Sequence, residues 1–191
     1  MTDADERILT AEAQVRLALL ALDFPVDKEG MKDTPKRVVK AWLEMSAGRY
    51  EAAEKHLAVV FEGGGYDEAV ALANIPFVSL CEHHMLPFSG VAGVAYLPEG
   101  RVVGLSKLAR VVDVYSRRPQ LQERLTAEIA DAVEQYLAPK GVIVTVEATH
   151  SCMTCRGAMK AGAVMRTSAL RGQPHTDGTL RAEMLDMLNR R

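Results

Sequence analysis

Cysteine is scarce and odd in number: Cys81, Cys152 and Cys155 are the only thiols in 191 residues. An odd count in a reducing, cytoplasmic setting, the one expected from the lack of a signal or membrane segment, argues against a disulfide framework and leaves metal binding or catalysis as the better uses. Charge of one sign is also missing. Lys and Arg number 23 against 25 Asp and Glu, a formal net charge of −2. Nothing general therefore draws the chain to nucleic acid or to an anionic membrane, and an anionic ligand must be held by local cations. Long apolar runs are absent, since the longest uncharged stretches, residues 69–81 and 85–98, fall short of the roughly 20 residues that span a bilayer. The opening residues are broken by Asp3, Asp5, Glu6, Arg7, Glu12 and Arg16, unlike a secretory signal. There is no internal repeat, no Gly-x-x-x-x-Gly-Lys loop and no strand-linked Gly-x-Gly-x-x-Gly, so a nucleotide would not be held as in phosphate-loop or dinucleotide-binding folds. What is present, 48% hydrophobic and 25% charged residues, is the composition of a folded domain able to bury a core.

The pattern along the chain changes once. Residues 10–22 carry Val15, Leu17, Leu19, Leu20 and Leu22 among helix formers and stop before Pro25, which predicts a helix. Thr34-Pro35 caps a second, with Val38, Val39, Trp42, Leu43 and Met45 on its apolar face, and residues 50–60 read as a third. Gly63, Gly64 and Gly65 then form a junction, so residues 1–65 are an N-terminal helical segment and residues 66–191 a second domain. That domain is β-rich at residues 69–80, 90–97 and 101–105. A short helix should start at Ser106 and a longer one at Pro119, with Leu121, Leu125, Ile129, Val133 and Leu137 spaced by four. A strand over residues 142–149, another within 162–170 and a helix over 179–188 complete an α+β layout: an antiparallel meander with helices on one face.

Cys81-Glu82-His83-His84 sets a thiol and an imidazole three residues apart at the predicted end of a strand, within reach of one ion. His150-Ser151-Cys152 follows another strand and offers a further thiol and imidazole. Three such donors would leave a fourth position for water, as in catalytic rather than structural zinc sites. Cys152-Met153-Thr154-Cys155 is a competing arrangement, half of a structural site or a redox pair, although no second Cys-x-x-Cys exists to complete it. With Ser106 as a cap, Lys107 and Arg110 share the first face of a helix N-terminus, which suits an anion or simply a solvated basic surface. Glu123, taken alone, reads as a surface acid paired with Arg124 or Arg118.

Four stretches in order, Ser79-Leu80-Cys81-Glu82-His83-His84-Met85-Leu86-Pro87-Phe88, Val103-Gly104-Leu105-Ser106-Lys107-Leu108-Ala109-Arg110, Arg117-Arg118-Pro119-Gln120-Leu121-Gln122-Glu123-Arg124-Leu125-Thr126, and His150-Ser151-Cys152 with Arg156-Gly157, resemble the successive motifs of GTP cyclohydrolase I. The resemblance implies a tunnelling fold, in which subunits pool their antiparallel sheets into a barrel, here a homodecamer with active sites at subunit junctions. It implies Zn2+ held by Cys81, His84 and Cys152, with Cys155 not a ligand, and water activated by zinc to attack C8 of the guanine ring of GTP. His150 and His83 become the proton-transfer residues, and Glu123 the guanine anchor, with Gln122 and Ser106 as neighbouring polar contacts. Lys107, Arg110 and Arg156 match triphosphate contacts, the first two serving the site of a neighbouring subunit, and Arg37 and Lys40 match further phosphate contacts. The implied products are formate and 7,8-dihydroneopterin triphosphate, the first step of tetrahydrofolate and pterin biosynthesis. Two positions depart from the family pattern: Cys155, and Gly93, where relatives carry a polar residue.

Overall fold

The computed structural model of the protein describes residues 2–189. The chain divides into two compact units between Met45 and Ser46. The first holds α1 (Asp3–Ala21) and α2 (Thr34–Met45). Thr2 starts α1 through a reciprocal cap, its hydroxyl accepting from Asp5 N at 3.2 Å while its own N–H donates to the Asp5 carboxylate at 2.8 Å. Val39 and Pro35 of α2 are buried, with Val26 of the intervening loop.

The second unit begins before the triple glycine, because the residues expected to form a third helix belong to its core. Residues 50–60 form only one short helix, α3 (Glu54–Leu57), after a 3-10 turn at Ala47–Tyr50; Ala53 and Leu57 are buried in the main cluster. Val60 then enters β1 (Val60–Glu62), which pairs antiparallel with β4 (Arg101–Val103), a non-local pairing that overrides local helix preference. The main sheet has five strands in the order β5-β2-β3-β6-β7: β2 (Val70–Cys81), β3 (Pro87–Leu97), β5 (Pro119–Gln120), β6 (Gly141–His150) and β7 (Met165–Gly172). All pairings are antiparallel except β5 on β2.

Alternation sends Phe88, Ala92, Val94 and Tyr96 of β3 to one face, where they meet α4 (Leu105–Ser116) and α5 (Gln122–Leu137). The four-residue spacing read from sequence is this contact: Leu125, Ile129, Val133 and Leu137 are all buried against the sheet. Two helix starts differ from expectation. Gly104, not Ser106, takes the cap position of α4, with Lys107 N donating to Gly104 O at 2.8 Å. α5 starts at Gln122 because Pro119 and Gln120 are drawn into pairing with Leu80 and Cys81. The helices are not confined to one face: Met184 and Leu188 of α7 (Gly178–Asn189) pack on Ala69, Ala95 and Ile143, which point the other way. Gly93 makes room there, since a Cβ would lie 2.9 Å from Leu188 Cδ2.

Candidate active site

The strand register brings the two cysteine-histidine clusters to one end of the sheet. Ser79 of β2 pairs with Phe88 of β3, and Phe88 pairs with His150 of β6. Cys81 lies two residues beyond Ser79, and Cys152 two beyond His150 on the one-turn helix α6 (Ser151–Thr154). The β2–β3 connection folds back over Cys81: Cys81 N donates to Leu86 O at 2.8 Å, Met85 N donates to Cys81 O at 2.8 Å, and Met85 takes a left-handed φ of 52°. This turn carries His84 round until its Nδ1 is 3.6 Å from Cys81 Sγ.

The ligand atoms of Cys81, His84 and Cys152 all lie within 4.8 Å of one another. A tetrahedral zinc with bonds of about 2.3 Å to sulfur and about 2.1 Å to nitrogen needs a sulfur–nitrogen edge of about 3.6 Å, which the Cys81–His84 pair matches. Burial and the adjacent Cys81 push the Cys152 thiol up from its ordinary value, and the nearby Arg156 guanidinium pulls it down. Two crowded thiols are what a cation would relieve. Cys155 is outside the cluster, its Sγ donating to Ser151 O at 2.8 Å.

Around the cluster stand His83, exposed and edge-on to His84, and His150, whose ring stacks on Phe88 at 4.4 Å and 3°. Burial lowers the His150 pKa more than the Glu123 carboxylate raises it, which favours the neutral ring. Glu123 is exposed in the first turn of α5 and has no ion pair among the described residues. The cations it was expected to meet are engaged elsewhere: Arg124 bonds Glu82 and Gln120, and Arg118 donates to Val114 O, Gly48 O and Glu51 O. Gln122 is buried, with its side chain turned to His150.

Ser106, Lys107 and Arg110 are not gathered with the cluster. β5 pairs with the Cys81 end of β2, so the C-terminal end of α4 lies at the site and its N-terminal end, about 18 Å away, does not. Ser106 and Lys107 occupy that far end, and Arg110 is one turn in. Arg37 and Lys40 lie on α2 in the other unit, paired locally with Asp33 and Glu44. A cavity of about 470 Å³ opens beside α7, lined in part by Asn74, Thr145, Glu147 and Arg166, and contains none of the predicted residues.

Residues 11–189 match the family model described as GTP cyclohydrolase I. The chain belongs to the GTP cyclohydrolase I family. It is 52% identical over 95% of its length to GTP cyclohydrolase 1 of Mycolicibacterium vanbaalenii, covering 90% of that protein. It is 51% identical over 94% of its length to the enzyme of that name from Rhodopirellula baltica, covering 78% of it. A solved structure titled as an archaeosine synthase QueF-Like in the apo form overlaps 56% of this chain and 96% of its own, at 24% identity and TM-score 0.45. The α+β sheet with α4 and α5 across one face is the GTP cyclohydrolase I family's tunnelling fold.

Motif reading missed the supports of this GTP cyclohydrolase I site. Arg124 and Gln120 tie the Glu82 turn to α5, and Phe88 floors His150. The only sequence signal for the first was Arg124 within the same motif as Glu123. For the second it was Phe88 closing the Cys81 motif.

Proposed function

We propose that this protein is a zinc-dependent GTP cyclohydrolase I, hydrolysing GTP at C8 of the guanine ring to release formate and form 7,8-dihydroneopterin triphosphate, the entry to tetrahydrofolate and other pterins. The observation that carries this is the open three-donor cluster of Cys81, His84 and Cys152 with His150 beside it, in a chain 52% identical to a protein named GTP cyclohydrolase 1. Zinc held by those three side chains supplies Lewis acidity that makes water nucleophilic near neutral pH.

The chain's own residues do the rest. His150, neutral and fixed on Phe88, exchanges protons with the opening ring, and His83 is the second proton carrier. Glu123, free of cationic partners among the described residues, accepts paired hydrogen bonds from the guanine ring N–H and exocyclic amine, a pattern adenine does not offer. Arg156, close enough to Cys152 to oppose part of the rise in its thiol pKa, holds phosphate oxygens. Gln122 contributes from beneath the site.

Lys107 and Arg110 serve the triphosphate of a neighbouring subunit and Ser106 is a polar contact there, because the length of α4 carries them away from their own cluster. Arg37 and Lys40 add phosphate contacts from the helical segment. The working form is then a homo-oligomer, a decamer in which sheets join into a barrel. Two sheet edges suit such joining: β7 has no outer partner among the described residues, and β5 covers only Leu80 and Cys81 of β2. The three free thiols suit the cytoplasm, and no described helix is long and apolar enough to cross a membrane.

The deciding experiment incubates the purified, metal-analysed protein with GTP and measures formate and pterin. Stoichiometric formate with dihydroneopterin triphosphate is expected. Zinc-loaded protein that leaves GTP intact overturns the proposal.

A further inference from the structure

The side chain of Gln122 is about 1% exposed and bonded at both ends. Its Nε2 lies 3.1 Å from Val146 O, 3.1 Å from Met165 O and 3.2 Å from Thr167 Oγ1. Carbonyl oxygens only accept, so the amide nitrogen must face them and the group cannot be turned end for end. The threonines agree. Thr126 gives its hydroxyl proton to Gln122 O at 2.7 Å, so it accepts from Thr167 at 2.6 Å, which leaves the Thr167 oxygen to accept from Gln122. At the other end Gln122 Oε1 is 2.8 Å from His150 Nε2. An amide oxygen carries no proton, so His150 Nε2 must donate, and the lone pair of the neutral ring sits at Nδ1.

We infer that Gln122 is a positioning residue that holds His150 as the Nε2–H tautomer, leaving Nδ1 as the nitrogen that exchanges protons with the substrate. The inference rests on the cyclohydrolase reading for the substrate, but the tautomer does not depend on it. Phe88 stacks on the ring and Gln122 pins one edge, so the imidazole is fixed in plane and in rotation. The proton His150 accepts at Nδ1 gives an imidazolium whose Nε2–H still donates to Gln122, and the same proton leaves from Nδ1. The sequence had suggested a direct substrate contact for Gln122; its burial makes it a support for the residue that touches the substrate.

The test is a cycle of zinc-loaded proteins: wild type, Gln122→Met, His150→Ala and the double variant, compared for kcat, KM for GTP, metal content and melting temperature. Gln122→Met should lower kcat by about 10²-fold or more with KM changed less than about threefold, the wrong-tautomer signature. In the His150→Ala background the same change should cost nothing further, because Gln122 acts only through that ring. Penalties that multiply in the double variant overturn the inference. Gln122→Glu keeps an acceptor toward His150 and should recover part of kcat, and the tautomer reading on wild type tests the inference if Gln122→Met does not fold. Solid-state 15N spectra of histidine-labelled protein, with His150 assigned by difference from His150→Ala, read the tautomer without turnover. A protonated Nδ1 at rest refutes the inference. Absence of formate from wild type with Nε2–H intact refutes only the cyclohydrolase reading.

Discussion

Replacing Gly90 with alanine tests whether the close approach of β3 and β6 sets the site. A Cβ at Gly90 would lie 1.9 Å from Glu147 O and 2.6 Å from Ala148 Cα, where real Cβ contacts essentially never fall below 3.0 Å. Both offending atoms are backbone, so the strands must part by about 1 Å, since neither can rotate away. They are zipped from Phe88–His150 to Leu97–Gly141, so the shift centres two residues from His150 and four from Cys152. Overpacking of this kind costs about 1–3 kcal/mol, which for a chain of this length lowers the melting temperature by about 2–12 °C. Displacing His150, the proposed proton-transfer ring, by about 1 Å should cost about 10²-fold in turnover. Gly178→Ala is the control, because a Cβ there meets nothing within 4 Å. The assays are thermal unfolding, metal content and formate release. A Gly90→Ala protein that melts with the control and turns over normally would refute the argument that this approach positions His150 and Cys152.

Cys81→Ala, His84→Ala or Cys152→Ala should each abolish stoichiometric metal and activity, whereas Cys155→Ala should retain both, as read by elemental analysis and formate release. Glu123→Gln should weaken use of GTP by about 10²-fold, because an amide turns a donor toward a guanine donor; unchanged kcat/KM removes the anchor role. Mixing subunits of inactive Lys107→Ala with inactive His150→Ala should restore part of the activity, since the mixture contains junctions with both residues intact; no recovery on subunit exchange would mean that each chain serves its own site. Tyr96→Phe leaves the Val103 N–H, which now donates to the buried Tyr96 hydroxyl at 3.1 Å, without a partner and should cost about 1–3 kcal/mol at neutral pH. Burial raises the Tyr96 pKa above 10.0, so its contribution is complete below the unfolded value and is lost as pH rises through the folded one; denaturation from pH 7 upward should show a smaller alkaline loss in the variant.

Local periodicity made much of this molecule legible. Leu125, Ile129, Val133 and Leu137 mark the buried face of α5 without reference to any other segment, whereas the spacing of Cys81 and His84 suits one ion but left the Cys152–Cys155 pair open as a rival. Features made by distant segments were not legible. Residues 60–62 lie beside helix formers, and only pairing with residues 101–103 makes them a strand. Pro119 and Gln120 form a two-residue parallel bridge too short to have a period. The side of the sheet that α7 covers follows from Ala69, Ala95 and Ile143 pointing away from α4 and α5, a parity set by register. Gln122 reads as a polar residue at a helix start until β6 and β7 bring Val146, Met165 and Thr167 against it.

The row Ser79–Phe88–His150 makes the three-donor cluster a late event in the life of the chain. Cys81 and His84 are neighbours in sequence, but Cys152 reaches them only when β6 has docked on β3 and β3 on β2. A nascent or unfolded chain therefore offers an ion two donors at best, and full affinity appears only after the central strands have closed. An ion held by all three donors would therefore mark a correctly zipped sheet, and stripping it should leave that sheet standing.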